Sequence, residues 1–236
     1  MPRHNKRPVK VQKNFDNSEN LDVEKHFAMS PTRGRTQEQK DYISLIKSKD
    51  LVLCNGVAGT GKTFIASSIA IDYLYSDSPI NKIIITRPMV GAGEHSGFLP
   101  GGIDDKSRPY MMPIYESISE KMSEQEADRL IEELKAKNRL EVVPLEFMKG
   151  RTFKNCFAIL DEAQNATAKQ IKMFMTRLGL GSKMVVTGDP QQVDIPNSGF
   201  EDICEKLGDV EQIGSITLTK ASIQRHPIVS IISDMI

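Results

Sequence analysis

The sequence predicts an α/β fold, a mainly parallel sheet with helices on both faces. Three observations predict it. Short, continuous apolar segments alternate with helical periodicities along most of the chain, the pattern of strands buried on both sides. A glycine-rich stretch joins the first strand segment to the helix behind it. Of the 236 residues, 39% are hydrophobic and 26% charged, which is enough apolar material for a core.

The elements follow in order. Residues 1–30 carry Arg3, Lys6, Arg7, Lys10 and Lys13 ahead of any acid, with sparse apolar residues and no period, which predicts a mobile basic tail. Residues 31–236 read as a single globular unit. Tyr42, Leu45 and Ile46 share one face of a helix over 37–48. A strand at 51–54 runs into the glycine-rich turn 56–61 and a helix at 62–75. The second strand, 82–86, is β-branched and apolar. The rhythm then breaks over 91–152, an insertion too long for a simple crossover. It holds a Gly/Pro-rich loop from Gly91 to Pro109, helical patterns at 109–121 and 123–137, and a strand-like stretch at 140–143. Insertions at the carboxyl ends of such strands build the substrate side of a site. Further strands are predicted at 157–160, 184–187 and 213–218, with helices at 167–178, 199–207 and 227–235.

Composition excludes several classes. There are 31 Lys+Arg and 31 Asp+Glu, so bulk charge does not hold the chain to nucleic acid, although a local basic groove is allowed. No run of about 18 apolar residues predicts a membrane span. The first residues lack the apolar stretch of a signal peptide. Cys54, Cys156 and Cys204 are far apart and odd in number, as expected of small, buried side chains in a reducing cytoplasm. No Cys/His group has zinc spacing, and His95 and His226 have no ligand-spaced partner.

Three motifs carry chemistry. Gly56, Val57, Ala58, Gly59, Thr60, Gly61, Lys62 and Thr63 match G-x-x-x-x-G-K-[ST] between a strand and a helix, and the nucleotide-contacting set runs on to Phe64. Such a loop curls backbone N–H groups around phosphates, its lysine reaches the β/γ-phosphates and its hydroxyl holds Mg²⁺. The strand 157–160 ends in Asp161 and Glu162; the first is the candidate Mg²⁺ acid with Thr63, the second the candidate general base. Thr187-Gly188-Asp189-Pro190-Gln191-Gln192 places an amide, Gln192, where a γ-phosphate can be sensed. Arg87 at the end of the second strand and Arg225, in Arg225-His226-Pro227, are further candidates; each could equally form a structural salt bridge.

Together these motifs resemble the PhoH-like ATPases, relatives of the nucleotide-binding half of superfamily-one helicases. The resemblance runs from about Thr36 to the C-terminus. It rests on Gly56–Thr63, Ile84–Pro88, Gly91–Glu94, Gly97–Gly101, Lys149–Thr152, Ile159–Asn165, Met173–Arg177, Val186–Asp189 and Arg225–Pro227. It implies a RecA-like P-loop ATPase using ATP and Mg²⁺, with Gln39 as an adenine-reading amide and Tyr42 beside it. A helicase of that superfamily uses two RecA-like lobes, and this chain has room for one. The resemblance therefore implies an arginine supplied by a neighbouring subunit, with Arg225 ahead of Arg177 and Arg151. By the same analogy it implies a ring, a hexamer; without the amino-terminal domain of many bacterial members the chain is similar to the compact form found in bacteriophages, and a cytoplasmic location is expected, the bacterial host's if phage-encoded.

Three functions compete. The first is an ATPase acting on RNA or single-stranded DNA, with Arg87, Lys106, Arg108, Lys149 and Arg151 near the strand. With no Trp and 6% aromatics, its binding should be led by phosphate contacts and sensitive to salt. The second is a nucleotide-gated regulatory or scaffold protein. The third, a small-molecule kinase, is weighed against by the Asp161-Glu162 pair and the Gly-Asp-x-x-Gln turn.

Overall fold

The structure is a computed structural model that describes residues 31–89 and 112–224. Helix α1 spans Gln37–Ser48, strand β1 Leu51–Gly56, helix α2 Lys62–Leu74 and strand β2 Lys82–Thr86. Helix α3 covers 112–119, α4 Glu124–Ala136, and β3 Leu140–Val142. Then come β4 (Cys156–Leu160), α5 (Ala168–Met175), β5 (Lys183–Gly188), α6 (Phe200–Leu207) and β6 (Ile213–Leu218). The six strands form one sheet in the order β3-β2-β4-β5-β1-β6, every pairing parallel.

Alternation along the strands builds two cores. Val52 and Cys54, Ile83 and Ile85, Phe157 and Ile159, and Val185 point to the side covered by α1 to α4. Their neighbours Leu53, Ile84, Ala158, Leu160, Met184 and Val186 point to the other side, where Ile171 and Phe174 of α5 and Phe200 of α6 cover them. Strands sandwiched in this way must be apolar at every position, which is why they read as continuous runs. The helices start where the sequence provides caps: Thr36 with Gln39, Ser123 with Glu126 and Thr167 with Gln170 each close a reciprocal capping box.

Differences from expectation have local causes. The stretch at 140–143 is a true edge strand, Ile83 opposite Leu140 and Ile85 opposite Val142, so the insertion extends the sheet. Helix α5 stops at Met175, short of 178, because Phe153 N–H takes the Arg177 carbonyl at 2.8 Å and Phe153 bridges Leu178. Strands β1 and β5 run on to Gly56 and Gly188. Gly188 is obligatory there, since a Cβ would lie 2.5 Å from the buried Phe200 ring. The expected basic tail 1–30, the loop 91–109 and the helix 227–235 lie outside the described residues.

Candidate functional site

Strand β5 separates β1 from β4, so three turns emerge side by side at the carboxyl edge. The register sets Cys54 opposite Thr187, Asn55 opposite Gly188, Leu160 opposite Val186 and Thr86 opposite Leu160. The glycine-rich loop, the Gly188 turn and Asp161 are therefore level with one another, and Arg87 is next along the edge. In the loop, Gly59 (φ +80°) and Gly61 (φ +86°) adopt left-handed backbone that a Cβ would strain. Gly61 caps α2 without a side chain, which leaves the first helical N–H groups to a ligand. Lys62 Nζ turns back on the loop, donating to the carbonyls of Gly56 (2.6 Å) and Val57 (3.0 Å). Burial pushes its ammonium below its ordinary value, while the carboxylates of Asp189, Asp161 and Glu162 act against that fall.

Asp161 is 2% exposed. Its Oδ1 accepts from Thr63 Oγ1 at 2.6 Å and Thr187 Oγ1 at 2.7 Å; its Oδ2 accepts from Arg87 Nε at 2.9 Å and a terminal Arg87 nitrogen at 2.6 Å. A buried carboxylate needs such partners, and Arg87 supplies the charge among them. The Thr63 hydroxyl and Asp161 carboxylate meet as two hard oxygen donors beside the phosphate loop, a set suited to Mg²⁺.

Glu162 has φ +55° and ψ 39°, a left-handed conformation uncommon for a glutamate. Strain of this kind clusters at functional sites. Gln164 Nε2 donates to Glu162 Oε2 at 2.6 Å, and Gln164 Oε1 accepts from the Asp189 N–H at 3.0 Å. The 189–194 turn is further pinned: Asp189 Oδ1 takes the Gln191 N–H, and Asn165 and Asp194 exchange two bonds at 2.8 and 3.0 Å.

Lys62, Thr63, Asp161, Glu162 and Asp189 line a cavity of about 550 Å³, within the range of small-molecule sites. Of the residues expected at the nucleotide, Gln39, Ala58, Gly59, Gly61, Lys62, Thr63, Phe64, Asp161, Glu162 and Gln192 line it. Gly56 and Val57 contribute the carbonyls that hold Lys62. Thr60 is buried, its hydroxyl on Val57 O at 2.8 Å.

Gln39, expected as an adenine-reading amide, lines the cavity and is also bonded within the chain. Its Oε1 accepts from the backbone of Arg35 (2.8 Å) and Thr36 (3.3 Å), and its Nε2 donates to Thr60 O at 3.0 Å. The amide thus ties the start of α1 to the loop at Thr60. Sequence reasoning passed over Arg33, Arg35, Glu116 and Glu120, which line the outer wall of the same cavity.

Among the described residues, two of the arginines expected on nucleic acid are held in ion pairs. Arg87 pairs with Asp161. Arg151 forms a two-pronged pair with Glu141 at 2.7 and 2.8 Å, on the edge strand. That contact, with Lys82 also bonded, holds the Glu141 carboxyl down at about 2. Arg177 is engaged with Met173 O and Arg151 O. Lys149 is exposed, close in sequence to Phe147, whose side chain is 65% exposed. Lys106, Arg108 and Arg225 lie outside the described residues. The residue before Arg225 is described: Gln224 N–H donates to Gly59 O at 3.0 Å, tying this end of the chain to the phosphate loop.

The family model for PhoH-like protein matches residues 31–236. A PhoH-like protein of Synechocystis sp. is 44% identical over 200 residues, covering 84% of this chain and 60% of the relative. One from Bacillus subtilis is 40% identical over 219 residues, covering 92% and 67%. The chain thus spans roughly two thirds of these bacterial relatives' length or less. The large terminase of a thermophilic bacteriophage, solved with ADP, superposes with a TM-score of 0.52 at 12% identity, over 84% of this chain and 49% of that one. That likeness concerns the fold alone, which is that of the RecA-like P-loop NTPases.

Proposed function

The chain belongs to the PhoH-like protein family, and from that membership and the pocket geometry we propose that it binds ATP with Mg²⁺ and hydrolyses it. The observation that carries this reading is the convergence of Lys62, Thr63, Asp161 and Glu162 on one cavity. The phage terminase has also been solved with ATP-γ-S, which supports a nucleoside triphosphate as a ligand of this fold.

Each residue has a role set by its position. Lys62 leaves the carbonyls of Gly56 and Val57 for the β/γ-phosphate oxygens, recovering in anion contacts what burial costs its charge. Thr63 and Asp161 would hold Mg²⁺, which supplies charge neutralisation on the phosphates. Arg87 and Thr187 fix the Asp161 carboxylate so that Oδ1 stays turned to Thr63. Glu162 accepts the proton of the attacking water, and Gln192 contacts the γ-phosphate end. Arg225, one residue beyond the Gln224 contact on the loop, is the candidate arginine acting across a subunit boundary in a ring, a hexamer in this reading.

The nucleic-acid part of the proposal is RNA or single-stranded DNA bound on the carboxyl-edge side. Exposed Lys149 and Phe147 support it, one as a phosphate contact and one as a stacking face. The experiment is phosphate release from ATP with and without Mg²⁺, repeated with single-stranded RNA and DNA. Mg²⁺-dependent release that rises with a single strand is expected. Release indifferent to every strand would favour a nucleotide-gated scaffold, and no release would remove the enzyme reading.

A further inference from the structure

We propose that Gln164 is a positioning residue that clamps the Glu162 carboxylate to the Asp189–Gln192 turn, so that the base and the γ-phosphate sensor move as one unit. The inference rests on the reading of Glu162 as general base and goes beyond it. Gln164 is 1% exposed, and both ends of its amide are used. A carboxylate can only accept and a backbone N–H can only donate, so the amide has one orientation that satisfies both. The NH₂ end takes Glu162 Oε2, leaving Oε1 as the oxygen for water, and the carbonyl end takes the Asp189 N–H.

The rest of the geometry shows why a clamp is needed at this point. Glu162 sits on left-handed backbone at the start of a three-residue 3-10 turn, Ala163–Asn165, and its flexible side chain faces a wide cavity. A base that samples several rotamers loses rate even when its chemistry is intact. On the other side, the Asp189 carbonyl accepts the Gln192 N–H at 3.0 Å, so Gln192 rides on the residue that Gln164 holds. Displacement of Gln192 by a γ-phosphate would therefore reach Glu162 through a single side chain. Gln164 is not among the residues lining the cavity, so it acts through Glu162 and is a positioning and not a catalytic residue.

The test is a double-mutant cycle on the full chain. Steady-state phosphate release from ATP and binding of a fluorescent ATP analogue are measured for wild type, Gln164→Met, Glu162→Gln and the double variant. Gln164→Met is expected to lower kcat about 10–100-fold, the range for partners that orient a reacting group, with analogue affinity held within about threefold. Added to Glu162→Gln, the same substitution should cost less than about threefold more, because the group it orients is already disabled. A kcat within about threefold of wild type, or a fully additive loss in the double variant, would overturn the clamp.

Gln164→Met also leaves the buried Asp189 N–H without a partner. If melting shows that this variant does not fold, Gln164→Glu decides when assayed across alkaline pH, since it keeps an oxygen for Asp189 and, once ionised, cannot donate to Glu162. Its kcat should fall by a comparable factor, and an undiminished kcat would overturn the proposal. If wild type hydrolyses no ATP, the enzyme reading fails. If wild type is active and Glu162→Gln is slow while both Gln164 variants are normal, only the clamp fails.

Discussion

Two arginine–carboxylate pairs in this molecule use the same chemistry to opposite ends. On the edge strand, Arg151 presents one nitrogen to each oxygen of Glu141, and Lys82 adds a contact at 2.7 Å. Both carboxylate oxygens are taken by cations, with Arg151 31% and Glu141 23% exposed. At the carboxyl edge, Arg87 donates from two nitrogens to Oδ2 of Asp161, while Oδ1 accepts from two hydroxyls. The first pair is closed: Arg151 ties the segment after β3 back to Glu141, and Lys82 ties that carboxylate to β2. The second is half open and turned to a cavity. An ion pair that keeps one carboxylate oxygen among hydroxyls can hand that oxygen to a metal, whereas a saturated pair has nothing to offer a ligand.

The largest expected effect breaks the two acids in parallel. Asp161→Asn should lower ATP turnover about 10²- to 10³-fold, the loss of several kcal/mol of metal-assisted charge stabilisation. Glu141→Gln should leave turnover unchanged in the same phosphate-release assay. Equal losses would mean that the edge pair also serves the site. Next come the arginines. Arg87→Met should lower turnover about 10–100-fold, as removal of a partner that orients a metal ligand does. Arg151→Met should leave turnover intact and reduce only the denaturant midpoint.

The smallest effect is a pH dependence. The hydrogen bonds from Arg151, and then those from Lys82, hold the Glu141 carboxyl at about 2, against an ordinary 4.5. A carboxyl depressed on folding adds stability above its unfolded value and loses it as pH falls through its folded one. The stability gap between wild type and Arg151→Met, measured by urea unfolding, should therefore be widest near neutrality and shrink from about pH 4.5 towards 2. A gap that grows on acidification would show that another group sets it.

How much of this was legible depends on how far apart the partners lie in the chain. The strands were legible because burial on both faces leaves a continuous apolar signature at 82–86 and 156–160. The phosphate loop was legible because its chemistry is local and its spacing is fixed by one turn. Arg87 with Asp161, Thr187 with Asp161 and Asp189 with Gln164 are pairs separated by 74, 26 and 25 residues. Only the strand order β2-β4-β5 brings them together, and no periodicity encodes that order. Gln39 is a different case. Thr36 and Gln39 have the spacing of a capping box, a readable signal that the structure uses. Gln164 stood in plain view beside Asp161 and Glu162, but its function depends on a turn that the sequence alone does not place next to it.

The central claim is that Asp161 and Glu162 divide the work, one holding the metal and the other taking the proton. The most direct test is ATP binding and single-turnover phosphate release measured on the same preparations of wild type and Glu162→Gln. The account predicts that Glu162→Gln binds ATP as wild type does, while release in the presence of Mg²⁺ slows about 10²- to 10⁴-fold, the range for loss of a general base. Weakened ATP binding with undiminished release would contradict it and would make Glu162 a structural residue of the pocket.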